Sequence, residues 1–123
     1  MIHNVGVDIV EINRIRKINN LDKFLQRFFT QSEINYILSK KNIYESIAGY
    51  FAAKEAVSKA LGTGVIFRFT DIQIEKDTYG CPYVLLNNKA LEIAKMNSIN
   101  RIFISISHSE NYATAFAIAE KEG

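Results

Sequence analysis

Apolar and polar residues alternate from Ile2 to Ile9, with His3, Val5, Val7 and Ile9 on one side and Asn4, Gly6 and Asp8 on the other, which predicts a strand. Gly6 leaves space beside Asp8 where a ligand or another stretch of backbone can come close. Asp8 equally suits the N-cap of the helix that follows. The spacing then changes to three and four. Ile12, Ile15 and Ile18 predict a short helix over 11–19, and Phe24, Leu25, Phe28 and Phe29 a second over 22–29. Thr30-Gln31-Ser32-Glu33 has the form of a capping box and opens a third helix, to about Ser39. The longest helix begins near Asn42 and stops at Gly62, with Tyr44, Ile47, Ala48, Phe51, Ala52, Ala56, Ala60 and Leu61 as its apolar stripe. Glu55 follows Ile47 and Phe51 at steps of four, so a carboxylate leans toward the buried side, where it requires a partner or water.

The second half returns to a period of two. Asp71 to Lys76 predicts a strand, Asp77-Thr78-Tyr79-Gly80 a turn, and Pro82 to Leu86 the returning strand of a hairpin, with Pro82 pointing to a sheet edge. A helix over 90–96 and strands over 101–107 and 112–119 complete the chain. Ala113, Ala115, Ala117 and Ala119 share one face of the last strand and form a shallow surface on which the long helix can pack closely. This order of elements predicts an α+β fold, a largely antiparallel sheet packed on one long helix plus short helices.

Composition narrows the field. A chain of 123 residues, 48% hydrophobic and 23% charged, suits one domain over 1–123. The lone Cys81 forms no internal disulfide and suits a reducing compartment. No apolar run reaches membrane-spanning length, and the start lacks a signal-peptide pattern, so a cytoplasmic location is expected. Net charge is only +2, and neither a nucleic acid nor a membrane partner is expected. Arg14, Arg16, Lys17, Lys23 and Arg27 are nevertheless clustered, which fits either a solvated helix face or a docking surface for an acidic partner.

Candidate chemistry is sparse. Ser107 and His108 are strand neighbours whose side chains point to opposite faces, so they cannot pair with each other. Two histidines and one cysteine without ligand spacing do not make a zinc site. Asp8 and Glu55 form the better constellation if the first strand meets the long helix. Two carboxylates with little else suit magnesium, which keeps waters and accepts substrate phosphates. Lys54, Lys59 and His108 are cations, or potential cations, for phosphate oxygens. Gly62 is explained as a helix C-cap, whereas Gly64 leaves room for a ligand against the backbone. A Glu55–Lys59 pair at i,i+4 is the plainer alternative for the carboxylate.

Gly6-Val7-Asp8-Ile9-Val10-Glu11-Ile12-Asn13-Arg14-Ile15, the run from Phe51 to Gly64, and Ser105-Ile106-Ser107-His108-Ser109 together resemble the bacterial holo-acyl-carrier-protein synthases, the small 4′-phosphopantetheinyl transferases. Gly80-Cys81-Pro82-Tyr83 is similar to that family's hairpin turn. The resemblance implies transfer of 4′-phosphopantetheine from coenzyme A to a serine of apo acyl carrier protein, with release of adenosine 3′,5′-bisphosphate, in support of fatty acid biosynthesis. It further implies Asp8 and Glu55 as Mg2+ ligands, and Asp8, Glu55 and Lys54 as catalytic residues. Glu55, or a water on the metal, would take the serine proton. Lys54, Lys59, Gly62, Thr63, Gly64, Ser107 and His108 would contact coenzyme A, and Arg14 and Arg27 the carrier protein. A homotrimer with active sites between subunits is implied as well, His108 reaching across the interface. One departure stands out: Tyr50 occupies a position where the family usually has arginine, and Lys59 or Arg68 are the candidates to replace its charge. A non-catalytic coenzyme A or carrier-binding module and a coenzyme A phosphohydrolase are the rival functions.

Overall fold

The computed structural model describes residues 1–62 and 68–122. Strand β1 (Ile2–Glu11) opens the chain and is followed by helices α1 (Ile12–Arg16), α2 (Leu21–Phe28), α3 (Gln31–Leu38) and α4 (Ile43–Leu61). A 3₁₀ turn at Phe69–Asp71 leads into the hairpin β2 (Ile72–Lys76) and β3 (Pro82–Leu86). Helix α5 (Asn88–Met96) and strands β4 (Ile99–His108) and β5 (Tyr112–Lys121) follow.

Local signals explain most boundaries. Thr30 and Glu33 complete the capping box reciprocally at the start of α3. The Asn42 side chain accepts from the Glu45 amide to start α4. Gly62 ends α4 at a φ of 126°, a conformation that favours glycine. Helix α1 is shorter than the spacing predicts, although Ile18 still packs against the core. Asp8 is not a helix cap. Pairing with β5 carries β1 on to Glu11, and Asp8 lies within the strand opposite Ala115.

The strands form two antiparallel sheets, β1-β5-β4 and the separate hairpin β2-β3. Helix α4 crosses the inner face of the three-stranded sheet, where Ala113, Ala115, Ala117 and Ala119 are all buried. Small side chains bring the helix close to the sheet, and Gly6 shows how close. A Cβ at Gly6 would fall on the Ala56 carbonyl oxygen and lie 2.9 Å from the Lys59 Cβ. The space beside Asp8 is therefore filled by the backbone of α4. This contact sets the strand that bears Asp8 against the helix that bears Glu55.

The outer face of the same sheet is largely apolar and, among the described residues, uncovered. Val5, Val7, Ile9, Phe103, Tyr112 and Phe116 each remain more than two-fifths exposed. So many exposed large apolar side chains on one sheet face, even with Ser105, Ser107 and Thr114 among them, are unusual for an isolated chain.

Candidate active site

Asp8 and Glu55 open into one cavity of about 420 Å³, together with Glu11, Arg14, Phe24 and Phe51. Strand β1 supplies the first carboxylate and helix α4 the second, and the Gly6–Ala56 contact holds the two elements together. The Thr114 hydroxyl donates to the Asp8 carbonyl at 2.8 Å and fixes the strand at that point. Partial burial raises the Glu55 carboxyl above its ordinary range, and the neighbouring Asp8 charge raises it further, against an opposing pull from Lys59.

The expected Glu55–Lys59 pair is not the contact that forms. The Lys59 ammonium donates to the Val7 carbonyl at 2.9 Å and lies 3.5 Å from Asp8 Oδ1. Among the described residues the Glu55 carboxylate makes no hydrogen bond or ion pair. Nor, among them, does any group of three or more His, Cys, Asp or Glu side chains form a cage of protein ligands. Two oxygen-bearing side chains on an open cavity fit magnesium, which prefers oxygen, takes few protein ligands and retains water or phosphate in its remaining positions.

Lys54 requires correction. Its side chain is completely buried, and its ammonium donates to the Phe28 carbonyl (3.0 Å), the Phe69 carbonyl (3.0 Å) and Glu33 Oε1 (2.6 Å). All three N–H donors are spent within the core, so none remains for a substrate phosphate. Burial lowers the Lys54 pKa and Glu33 opposes the fall. The geometry gives Lys54 a structural role and offers no support for the expected catalytic or coenzyme A contact. Glu33, its partner, is the buried acid that the periodicity missed. The capping box placed Glu33 at a helix start but gave no sign that its carboxylate turns inward.

The remaining candidates are dispersed. Arg14 lines the Asp8–Glu55 cavity, whereas Arg27 lines a second one, of about 660 Å³, with Arg68, Phe28 and Phe69. His108 lies 3.2 Å from Glu45 and lines a third, of about 250 Å³, with Tyr36, Lys40, Tyr50 and Lys76. Within one chain His108 therefore does not join Asp8 and Glu55. Ser107 is exposed, and strand alternation turns it to the opposite face. Gly62 closes α4, while Thr63 and Gly64 lie outside the described residues. Tyr50 is buried and stacks on Tyr36 at 5.4 Å with ring planes 3° apart. Its phenol is pushed upward by burial and by the neighbouring ionisable groups. Neither Lys59 nor Arg68 lines the Tyr50 cavity; the basic side chains that do, besides His108, are Lys40 and Lys76.

Comparison with known proteins bears on the chain as a whole. The chain is 57% identical over 122 residues to the holo-[acyl-carrier-protein] synthase of Caldicellulosiruptor saccharolyticus, covering 99% of each chain. The crystal structure of holo-[acyl-carrier-protein] synthase from Neisseria meningitidis superposes with a TM-score of 0.87 at 34% identity, over 98% of this chain and 100% of that one. The Helicobacter pylori holo-[acyl-carrier-protein] synthase, solved in complex with coenzyme A, gives a TM-score of 0.82 at 38% identity, over 94% and 99% of the two chains. The family model described as the 4′-phosphopantetheinyl transferase superfamily matches residues 4–117, and the chain belongs to that superfamily.

Proposed function

We propose that this chain moves 4′-phosphopantetheine from coenzyme A to a serine of apo acyl carrier protein, and that Asp8 and Glu55 hold a magnesium ion on which the transfer depends. The observation that carries this reading is the meeting of the two carboxylates at one open cavity with Arg14 at its wall. When bound, magnesium supplies positive charge against the diphosphate of coenzyme A, which favours departure of the bisphosphate. The chain's own residues supply position and proton transfer. A carboxylate has two oxygens, so Glu55 can hold the metal with one and accept the serine proton with the other. Lys59, on the turn of α4 that follows Glu55 and 3.5 Å from Asp8, would meet the phosphates. Arg14 and Arg27 present charge to an acidic carrier.

The uncovered sheet face supports assembly as a trimer. Neighbouring subunits would bury Val7, Phe103 and Phe116 and bring His108 of one subunit toward the Asp8–Glu55 cavity of the next. A cytoplasmic location goes with this activity, and among the described residues no helix is long and apolar enough to cross a membrane.

Mass spectrometry tests the reading directly. Incubation with apo carrier, coenzyme A and magnesium should add one phosphopantetheine to the carrier serine. Asp8→Ala and Glu55→Ala should abolish the addition while keeping the parent circular-dichroism spectrum. Chelation of the metal should also stop it. Bisphosphate release without carrier would point to a hydrolase, and an unmodified carrier to a binding module. Full transfer by either variant would refute the metal assignment.

A further inference from the structure

Lys59 stands where two cations would compete. Its ammonium is bonded to the Val7 carbonyl at 2.9 Å and lies 3.5 Å from Asp8 Oδ1, with half of its side chain exposed. The start of that side chain is wedged beside Gly6, where the Lys59 Cβ would meet any Cβ added to the glycine. The close packing of α4 on β1 thus directs the stem along the strand, and the Val7 carbonyl holds the ammonium next to the acidic pair. Asp8 and Glu55 carry a built-in counter-charge, supplied by the helix that bears Glu55 itself.

A divalent cation and an ammonium repel each other, so a metal on the Asp8 carboxylate disfavours an ammonium held 3.5 Å from Oδ1. We propose that Lys59 is a tethered counter-ion which a divalent metal has to displace from Asp8, and that the freed ammonium turns to the diphosphate of coenzyme A, so that metal and nucleotide bind cooperatively. This rests on the metal and coenzyme A assignments proposed above. Lys59 then acts with opposite sign on the two ligands. It opposes metal binding to the free chain and favours nucleotide binding. Linkage makes the coupling reciprocal: each ligand strengthens the other by the same factor.

Manganese(II), a hard cation whose free aqua ion is read by electron paramagnetic resonance, is the probe, titrated into the full chain without nucleotide. Lys59→Met keeps the stem and removes the charge. It should tighten manganese binding about two- to fivefold, the scale of a partly exposed ion pair. Coenzyme A affinity, measured by calorimetry, should fall in the same variant. Lys59→Arg should keep both affinities near the parent values, and Lys59→Gln replaces the Met variant if that one fails to fold. A merely structural role would weaken both ligands together. Manganese binding that is unchanged or weaker in a folded Lys59→Met chain overturns the counter-ion role. Asp8→Asn separates the two levels. If it leaves manganese binding intact, or if the parent binds none, the metal assignment fails and this inference with it. If it removes binding and Lys59→Met does not tighten it, only the counter-ion role fails.

Discussion

Glu33 Oε1 lies 2.6 Å from the Lys54 ammonium, and neither side chain is exposed to solvent. The same carboxylate accepts from the Thr30 amide (2.8 Å) and, through its other oxygen, from the Ile74 amide (2.8 Å). Lys54 adds the Phe28 and Phe69 carbonyls. One ion pair therefore ties the end of α2, the start of α3, helix α4, the 3₁₀ turn and strand β2. Removing one partner leaves a buried charge and several polar groups unsatisfied, and breaking such a pair costs about 3–5 kcal/mol. Lys54→Met should lose stability on that scale in urea denaturation. Glu33→Gln combined with Lys54→Met should cost less than the sum of the two single changes, because the two residues act through one network. A loss below about 0.5 kcal/mol, the size of an ordinary surface substitution, would refute this role.

Gly6→Ala should strike both stability and activity. The added methyl meets backbone of α4, which cannot rotate away, so β1 and α4 must separate. Overpacking of this kind costs about 1–3 kcal/mol or more. Because Asp8 is two residues along the strand, the carboxylate pair spreads as well. Gly49→Ala is the contrast. Its Cβ would meet only the Ile106 Cγ2 at 3.1 Å, and a helix-interior glycine gains about 1 kcal/mol on becoming alanine. Thermal denaturation should rank Gly6→Ala far below Gly49→Ala; equal melting temperatures would contradict the close approach.

Glu55 should titrate above an ordinary glutamate in the metal-free chain. Burial, then the Asp8 charge, disfavours the ionised form in the folded state. Its contribution to stability is therefore fully present below the unfolded value, near 4.5, and is lost as pH rises through the higher folded value. Carbon-13 NMR of the side-chain carboxyl should give a raised midpoint, which Asp8→Asn moves downward without abolishing the shift. A midpoint at or below the ordinary value would mean that the cavity leaves Glu55 fully hydrated.

Phe116→Glu tests what covers the outer sheet face. Phe116 lies on β5, the middle strand, with 42% of its surface exposed. A charge there should convert an assembled protein to single chains in light scattering, and transfer should fall with it if His108 serves a neighbouring subunit. A parent protein that scatters as a monomer, or a variant of unchanged mass, would exclude this face as the interface.

Arg14→Glu should weaken carrier binding most at low ionic strength, where exposed charges are least screened. The side chain stands at the same cavity as Asp8 and Glu55, so a carrier held there is also placed for reaction. Surface plasmon resonance across a salt series reads the effect, and an affinity that is unchanged at low salt would assign Arg14 to a merely solvated face.

The sequence alone determined those features whose cause is local. The capping box at Thr30 and Glu33, the asparagine and glycine ends of α4, the β2–β3 turn and the alanine face of β5 each depend on residues a few positions apart. The family motifs were legible for the same reason. The tertiary structure decided the burial and partnership of charge. On α4 one buried line runs through Ile47, Tyr50, Lys54, Val57 and Leu61, and Glu55 is one residue, about 100°, away from Lys54 on it. Spacing could not choose between Lys54 and Glu55, since the choice lay with Glu33, brought in from another helix. Whether Asp8 capped a helix or extended a strand was likewise settled by β5, which arrives from the far end of the chain and pairs Asp8 with Ala115. Periodicity marks which side of an element is apolar, while the energy of a buried ion or a strand edge depends on partners that only folding brings near.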